Sequence, residues 1–279
     1  MSPGPDVILE LRGITLQFGA LKALDNVSLS VQRGELFALI GPNGAGKSSV
    51  FNCVSRVYRP TSGSVTLGGA DMGRLSPHQV AARGVARTFQ NIELFEGMTV
   101  VQNLMLGRHR LMRSGILTDA FGFGVSRRQE DEHRKAVERI IDFLHLESYR
   151  HLSVGVLPYG VQKRVELGRA LCMDPTLLLL DEPVAGMNRE EREDMARFIL
   201  DVHQELGLTI VLVEHDMGLV MDLATRIAVL DFGHVIAVGD PASVQANPAV
   251  IRAYIGAADE LRAGEGGVAG SAAGTKGAS

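Results

Sequence analysis

Hydrophobic and polar residues alternate along the first part of the chain, a pattern typical of half-buried β-strands. Val7–Leu11 and Ile14–Phe18 are the first two alternating runs, and Gly13 and Gly19 interrupt them. The alternation continues through Ala23–Val31. The pattern predicts a β-rich start made of short strands that each end at a glycine.

Four later runs are apolar on both faces, as expected of strands buried within a parallel sheet. Helical segments are predicted at Arg189–Leu206 and Met217–Ala224, between the last three of these runs. Alternation of buried strands with helices predicts an α/β fold. The four runs are Leu36–Ile40, Leu177–Leu180, Thr209–Val213 and Ile227–Leu230.

The middle of the chain has a helical pattern. Val137, Ile140, Ile141 and Leu144 follow the spacing of one buried helix face. We therefore expect one domain over residues 7–257, with a helical subdomain inserted at about 91–170. Fourteen of the 22 residues in 258–279 are Ala, Gly or Ser, and this composition predicts a disordered tail.

Composition limits the possible classes of protein. No apolar run approaches the roughly 18 residues of a membrane helix, and the N-terminus does not resemble a signal peptide. The two cysteines, Cys53 and Cys172, lie in apolar stretches and do not suggest a disulfide framework. With a net charge of −4, nucleic acid is not expected as a partner.

A glycine-rich loop between a buried strand and a helix has the spacing Gly-x-x-x-x-Gly-Lys-Ser/Thr, which is typical of phosphate binding. Glycines allow backbone N–H groups to surround phosphate oxygens, and the following helix directs its positive end towards them. Lys47 would contact the β- and γ-phosphates, and the Ser48 hydroxyl would bind Mg²⁺. The loop, named here the phosphate loop, consists of Gly41, Pro42, Asn43, Gly44, Ala45, Gly46, Lys47 and Ser48, and Ser49 follows it.

Two carboxylates stand at the end of a predicted buried strand, in Leu177-Leu178-Leu179-Leu180-Asp181-Glu182. Ligands of parallel sheets bind at the carboxyl ends of strands. We therefore expect Asp181 to bind Mg²⁺ through a water molecule. Glu182 is the candidate general base that activates the attacking water.

With these motifs the chain resembles the ATP-binding cassette ATPases, from about residue 7 to residue 257. Leu157–Arg164, named here the signature segment, is similar to that family's Leu-Ser-Gly-Gly-Gln motif and precedes a helix predicted at Val165–Met173. His215 follows a strand, as the family's switch histidine does, and Gln90 stands where the family has a glutamine at the start of the helical subdomain. Phe18 stands at the position of an aromatic residue that stacks on adenine.

The resemblance implies a particular fold and a particular site. The fold is a mixed RecA-like sheet with an N-terminal antiparallel β subdomain and an inserted helical subdomain. ATP and Mg²⁺ are the implied cofactors: Gln90 would join Ser48 and Asp181 at the metal, and His215 would contact the γ-phosphate. Tyr159 and Gly160 would approach the ATP held by an opposite subunit.

The signature segment departs from the common family pattern. Pro158 replaces a serine, which removes a hydroxyl, and Tyr159 and Val161 replace a glycine and a glutamine. Asn188 stands where the family commonly has an aspartate. The Gly160 N–H and the dipole of the following helix remain, so we expect a weakened rather than an absent site.

Several stretches are similar to the ATPase subunits of branched-chain amino acid importers: Glu182–Asn188, Val213–Met217, Asn247–Gly256 and the long insert Leu106–Arg134. This resemblance implies separate permease subunits, a second ATPase subunit in a heterodimer or a homodimer, and indirectly a periplasmic binding protein. The location implied is peripheral, on the cytoplasmic face of the inner membrane. Importers of urea, amides or another small solute remain alternatives.

Three other classes of protein are alternatives outside import. A cassette ATPase acting on DNA or ribosomes would carry long coiled coils or two cassettes. A GTPase or a small-molecule kinase would carry a guanine-reading motif or an acceptor lid, and none is found in the sequence. A regulatory cassette that binds ATP without cleaving it is suggested only by Pro158.

Overall fold

The computed structural model describes residues 6–88, 92–109 and 125–255, and for residues 125–129 the backbone alone. Four strands form an antiparallel sheet in the order β2-β1-β4-β5. They are β1 (Val7–Phe18), β2 (Leu21–Gln32), β4 (Ser62–Leu67) and β5 (Ala70–Asp71).

The predicted break at Gly13 is wrong, because β1 runs through this residue. Gly13 has a positive φ of 58°, and the pairing of β1 with β2 shifts register between Leu11 and Ile14. The Gly13 N–H donates to the Ser28 hydroxyl on β2 at 2.9 Å. Gly13 therefore produces an irregularity within a long strand rather than its end.

A second sheet of six strands has the order β10-β9-β3-β8-β7-β6. Its strands run parallel except β10, which pairs antiparallel with β9. The four predicted buried strands are confirmed, and β6 and β10 are additions at the two edges. The strands are β3 (Leu36–Ile40), β6 (Val85–Arg87), β7 (Leu177–Asp181), β8 (Thr209–Val213), β9 (Arg226–Asp231) and β10 (His234–Gly239).

Helices cover the parallel sheet and form the middle of the chain. They are α1 (Lys47–Val54), α2 (Pro77–Ala82), α3 (Val100–His109), α4 (Val125–Phe143), α5 (Tyr159–Leu171), α6 (Arg189–Glu205), α7 (Met217–Leu223) and α8 (Pro241–Gln245), and residues 248–255 are also helical. None of the helices in the described ranges is both long and apolar enough to span a membrane.

Helix α5 begins six residues earlier than the sequence predicted. Pro158 is its N-cap, with extended backbone at ψ 149°, and the helix starts at Tyr159 instead of Val165. Proline is compatible with a helix start because the first N–H groups of a helix have no intrahelical partner. Most of the signature segment is therefore helical, and only its first two residues precede the helix.

The apolar core lies on both faces of the parallel sheet. One cluster joins the sheet to α3, α4 and α5, and there Val137, Ile141 and Leu144 are fully buried, as the helical pattern predicted. The other cluster joins the sheet to α1 and the antiparallel sheet. With the sheet held from both sides, the carboxyl ends of the neighbouring strands β3, β8 and β7 meet at one edge, where the predicted motifs lie.

Candidate functional site

The phosphate loop connects β3 to α1 through three glycines with positive φ: Gly41, Gly44 and Gly46. A Cβ atom on Gly41 would lie 2.1 Å from the Leu230 carbonyl oxygen, and one on Gly46 would lie 2.7 Å from that of Ala23. The loop thus packs directly against the backbones of β9 and β2. Glycine is required at these positions for both conformation and space.

Lys47, the first residue of α1, is almost fully buried. Its Nζ donates to the carbonyl oxygens of Gly41 at 2.7 Å and Pro42 at 3.0 Å, so the ammonium group lies inside the curve of the loop. Burial lowers the pKa of Lys47, while the carboxylates of Glu182 and Asp181 act in the opposite direction. The loop, the lysine and the acidic strand end therefore interact electrostatically.

A cavity of about 720 Å³ opens in front of this loop. The predicted site residues in its wall are Asn43, Gly44, Gly46, Lys47, Ser48, Ser49, Glu182 and His215. Five further residues of the wall were not predicted from the sequence: Leu21, Lys22, Ala23, Phe232 and Gly233. Phe232 and Gly233 form the β9–β10 turn with positive φ, and the Gly233 N–H donates to the Ala45 carbonyl at 3.0 Å. In the sequence, this turn is indicated by an aromatic residue followed by glycine directly after β9.

Glu182 follows β7 directly and has a left-handed backbone conformation, with φ at 48°. This conformation is uncommon for a residue other than glycine, and such strain concentrates at functional sites. Its N–H donates to the Val213 carbonyl at 2.9 Å, which holds the residue against the end of β8. The Glu182 side chain thereby reaches the wall of the cavity.

His215 lies beside Glu182 at the end of β8. Its Nδ1 is 4.0 Å from Oε2 of Glu182 and 3.8 Å from Oε2 of Glu214, and its side chain is 60% exposed. Burial raises the pKa of Glu214, although N–H groups of Val184 and His215 donate to its carboxylate. The Glu214 carboxylate therefore holds the backbone at Val184 and His215, while the His215 side chain lines the cavity.

Asp181 is buried at the end of β7 and forms an ion pair with Arg87, at 2.8 Å between Oδ2 and the guanidinium. The same guanidinium donates to Asn52 Oδ1 at 2.7 Å and to the Ser55 hydroxyl at 3.1 Å. Arg87 thus connects the acidic strand end to the helix that follows the phosphate loop. Arg87 was not predicted as a site residue, because no motif spacing in the sequence indicates it.

Tyr159 and Gly160 lie in the first turn of α5 and do not line the cavity. The Tyr159 hydroxyl donates to the Ala185 carbonyl at 3.1 Å, and the Gly160 N–H donates to Oε1 of Glu191 at 3.3 Å. Both residues therefore face the segment after Glu182 within the same chain. Their contact with ATP of an opposite subunit remains a prediction.

Phe18, the last residue of β1, is half exposed and contacts the Tyr58 ring edge to face, with 5.2 Å between ring centroids. It is not part of the cavity wall, which begins beyond it at Leu21. Its stacking on adenine remains a prediction. Gln90 and the tail 258–279 lie outside the described residues.

Two oxygen donors near the phosphate loop, one on α1 and one at the end of β7, are of the kind that a magnesium ion arriving with a nucleotide would need. Within the described ranges, no group of three or more His, Cys, Asp or Glu side chains is arranged to hold a metal alone. Mg²⁺ bound to phosphates needs only one or two protein oxygen ligands. The hydroxyl of Ser48 in the cavity wall and the carboxylate of Asp181, whose Oδ2 pairs with Arg87, would be oxygen ligands of that kind.

Comparison with protein families identifies two matching regions. The model of the ABC transporter family matches residues 24–185, which include the phosphate loop, the signature segment and Glu182. A second model, described as branched-chain amino acid ATP-binding cassette transporter, matches residues 234–260.

Two known relatives match almost over their full length. BraF of Pseudomonas aeruginosa, a high-affinity branched-chain amino acid transport ATP-binding protein, is 40% identical over 90% of this chain and 98% of its own. LivG of Escherichia coli K12, which has the same description, is 38% identical with the same coverage.

Solved structures have the same fold. An ATP-binding cassette of an ABC transporter in its ADP conformation has a TM-score of 0.78 and 31% identity, covering 90% of this chain and 99% of its own. A dimeric cassette in a post-hydrolysis state, bound to ADP and Pi, has a TM-score of 0.71 and 25% identity, covering 84% and 99%.

Proposed function

This chain belongs to the ABC transporter family, and from that premise we propose that it is the ATP-hydrolysing subunit of a branched-chain amino acid importer. The proposal is carried by the identity with BraF and LivG over 98% of their lengths. The match of residues 234–260 to the branched-chain amino acid cassette model supports the same cargo.

Nucleotide binding follows from the phosphate loop. Its backbone N–H groups and the N-terminus of α1 favour the negative charge of a triphosphate. The ammonium group of Lys47 already lies at the loop, where it donates to two loop carbonyls. We expect it to donate to the β- and γ-phosphates when ATP is bound. Phe18 is the proposed contact for adenine.

Hydrolysis requires a base next to the γ-phosphate. Glu182 lines the same cavity as Lys47 and Ser48, so its carboxylate is placed to accept a proton from the attacking water. His215 would contact the γ-phosphate and orient Glu182 from its position 4.0 Å away. Ser48, Asp181 and Gln90 would hold Mg²⁺, which neutralises charge on the phosphates when it is bound.

A second ATPase subunit would complete the site. A related cassette forms a dimer in the presence of ADP and Pi. In the proposed assembly, Tyr159 and Gly160 of one subunit approach ATP held by the other. The resemblance to importer ATPases that occur as one of a pair of related subunits favours a heterodimer, with a homodimer as the alternative. In a heterodimer the two composite sites would differ, because Pro158 and Asn188 of this chain depart from the common pattern.

An exposed apolar surface is the proposed contact with a permease. Phe95, Met98, Leu152 and Val156 are all exposed, and Val156 is 75% exposed. The two segments that carry them are adjacent, because the N–H of Val154 donates to the Met98 carbonyl at 3.0 Å and that of Gly155 to the Glu96 carbonyl at 3.3 Å. Exposed apolar side chains in one patch are typical of protein interfaces. Binding there would place the chain at the cytoplasmic face of the inner membrane, with a periplasmic binding protein as an indirect partner.

Glu182→Gln tests the proposed enzyme activity. We expect ATP hydrolysis to fall at least about 100-fold, which is the size of a general-base contribution, while ATP binding is retained. Glu190→Gln, at an exposed position in the first turn of α6, is the matched control and should hydrolyse ATP normally. Unchanged turnover in Glu182→Gln would show that this carboxylate is not the base.

Uptake tests the cargo. The chain is co-purified with its permeases, reconstituted in vesicles and supplied with the binding protein, and uptake of labelled leucine and labelled urea is measured. Leucine uptake that depends on ATP and is lost in Glu182→Gln is expected. Uptake of urea but not of leucine would show that the cargo is not a branched-chain amino acid. A chain that never co-purifies with permeases would contradict a role in import.

A further inference from the structure

Glu191 contacts the N-termini of two helices at once. It is the third residue of α6, where its N–H donates to Asn188 Oδ1 at 3.0 Å and its own Oε2 accepts from the Asn188 N–H at 3.0 Å. Its other oxygen, Oε1, accepts from the N–H of Gly160 at 3.3 Å. One carboxylate therefore caps α6 and also occupies a donor of α5.

The Gly160 amide is a binding group for an anion. It is the second residue of α5, so its N–H has no partner within the helix, and the positive end of the helix dipole adds to it. The N-cap of α5, Pro158, provides no side-chain hydrogen bond. Within the described chain, the carboxylate of Glu191 is the anion found at this amide.

The fit between Gly160 and Glu191 is close. A Cβ atom at position 160 would lie 2.7 Å from Oε1 of Glu191, so only glycine allows the carboxylate to stand directly over the amide. In the proposed dimer the same amide faces the γ-phosphate of the partner's ATP. The carboxylate and the phosphate are two anions for one donor.

We propose that Glu191 is a positioning residue that holds the Gly160 amide in the separate subunit and is displaced from it by the γ-phosphate of ATP bound to the opposite subunit. This inference rests on the proposed function. The displaced carboxylate keeps its place in α6, because the capping bond from Asn188 uses Oε2 rather than Oε1. The exchange therefore costs one contact and leaves the helix start intact.

The geometry is suited to exchange. Hydrogen bonds from N–H groups to oxygen are commonly about 2.7–3.2 Å, and the Gly160 contact is slightly longer, at 3.3 Å. A γ-phosphate has more charge and more acceptor oxygens than a carboxylate, so it competes well for a donor held at this length. Glu191 thus raises the ATP concentration at which two subunits close.

The residue next to Gly160 contacts the segment that follows Glu182, the proposed base. Tyr159, next to Gly160, donates to the Ala185 carbonyl at 3.1 Å. A Cβ atom on Gly186 would lie 3.4 Å from the Tyr159 ring, so that ring packs directly against the segment. A displacement of Gly160 would therefore reach Ala185 and Gly186 through Tyr159.

Two substitutions separate the charge of Glu191 from its reach. Glu191→Gln retains the length and the capping geometry without the charge, and Glu191→Asp retains the charge but is one methylene shorter. Each is combined with Glu182→Gln, and ATP-driven dimerisation is measured by sedimentation. Both should lower the ATP concentration for half-dimerisation about three- to ten-fold, the effect of weakening one charge-assisted hydrogen bond. The control, Glu190→Gln, should leave it unchanged.

ATP affinity of the monomer distinguishes this role from a structural one. It should be the same in all these variants, because Gly160 and Glu191 lie outside the cavity. A purely structural role would lower the melting temperature without favouring the dimer. In the reconstituted transporter the corresponding result, with Glu182 intact, is a lower KM for ATP at similar kcat.

The inference fails if the Glu191 variants dimerise like Glu190→Gln, or more weakly, and their KM for ATP is unchanged. A different pattern refutes the proposed function itself. In that pattern Glu182→Gln does not dimerise with ATP, and the unsubstituted chain shows no ATPase activity in the transporter. That pattern would also remove the basis of the inference about Glu191.

Discussion

The guanidinium of Arg87 donates to Oδ2 of Asp181 at 2.8 Å, and both side chains are at least nine-tenths buried. Arg87 ends β6, Asp181 ends β7, and the two strands are parallel neighbours. The bonds from Arg87 to Asn52 and Ser55 extend this pair to α1. The orientation of the acidic strand end thus depends on a residue 94 positions away.

Arg87→Met removes the positive charge from the buried pair at similar side-chain length. We expect the free energy of unfolding to fall by about 3–5 kcal/mol, because Asp181 would remain as an uncompensated buried charge. Urea denaturation measures this loss. Arg87→Lys is the control: it retains the charge, loses the forked geometry and should recover part of the stability. Equal stability of Arg87→Met and the unsubstituted chain would contradict a supporting role for this ion pair.

Gly46→Ala should weaken nucleotide binding. The added Cβ would lie 2.7 Å from the Ala23 carbonyl oxygen, so the phosphate loop or β2 must move. We expect ATP affinity to fall by more than about ten-fold, as measured by titration with a fluorescent ATP analogue. Gly44→Ala is the comparison variant: Gly44 also has a positive φ, so alanine is strained there, but nothing lies within 4 Å of its added Cβ, and the loss should be smaller. Equal losses in the two variants would show that backbone conformation, and not the close approach to Ala23, causes the effect.

Pro158→Ser should increase ATPase activity of the complete transporter if the signature segment limits the rate. Serine can both cap α5, where Pro158 makes no side-chain hydrogen bond, and provide a hydroxyl towards the partner's ATP. We expect a gain of about two- to five-fold, corresponding to the roughly 0.5–1 kcal/mol of one hydrogen bond. Pro158→Ala, which provides no hydroxyl, is the control. Equal rates for all three proteins would rule out the segment as the limit.

Cys53 and Cys172 should resist alkylation in the folded protein. Burial raises the pKa of the Cys53 thiol to about 11 and that of Cys172 to about 12. At pH 8 both thiols are then protonated and shielded, and mass spectrometry after iodoacetamide treatment should find neither labelled until urea is added. Rapid labelling of either cysteine in the native protein would contradict its burial.

The same two thiols contribute to the pH dependence of stability. Because folding raises their pKa above the ordinary value of 9.0, the folded protein holds these protons more tightly than the unfolded chain. Their contribution is complete below pH 9 and is lost as the pH rises towards 11 and 12. The free energy of unfolding should therefore fall between pH 8 and pH 10.5 less steeply in the Cys53→Ala, Cys172→Ala double variant than in the unsubstituted chain.

The sequence by itself determined the local elements of the site. The spacing of the phosphate loop, the apolar run before Asp181 and Glu182, and the strand before His215 each specify a backbone over a few consecutive residues. Such patterns predict strands and turns because periodicity and glycine act locally. The order of buried strands and helices then indicated an α/β fold with these motifs at one sheet edge.

Only the tertiary structure decided which distant side chains meet. Arg87 reaches Asp181 because β6 and β7 pair as neighbours, and Glu191 reaches Gly160, 31 residues away, because α6 starts beside α5. The Phe232–Gly233 turn joins the cavity through the pairing of β9 with β3. These contacts depend on strand order and helix packing, for which a single chain's local spacing contains no information. The family motifs could thus be found in the sequence, whereas the residues that hold and restrain them required the fold.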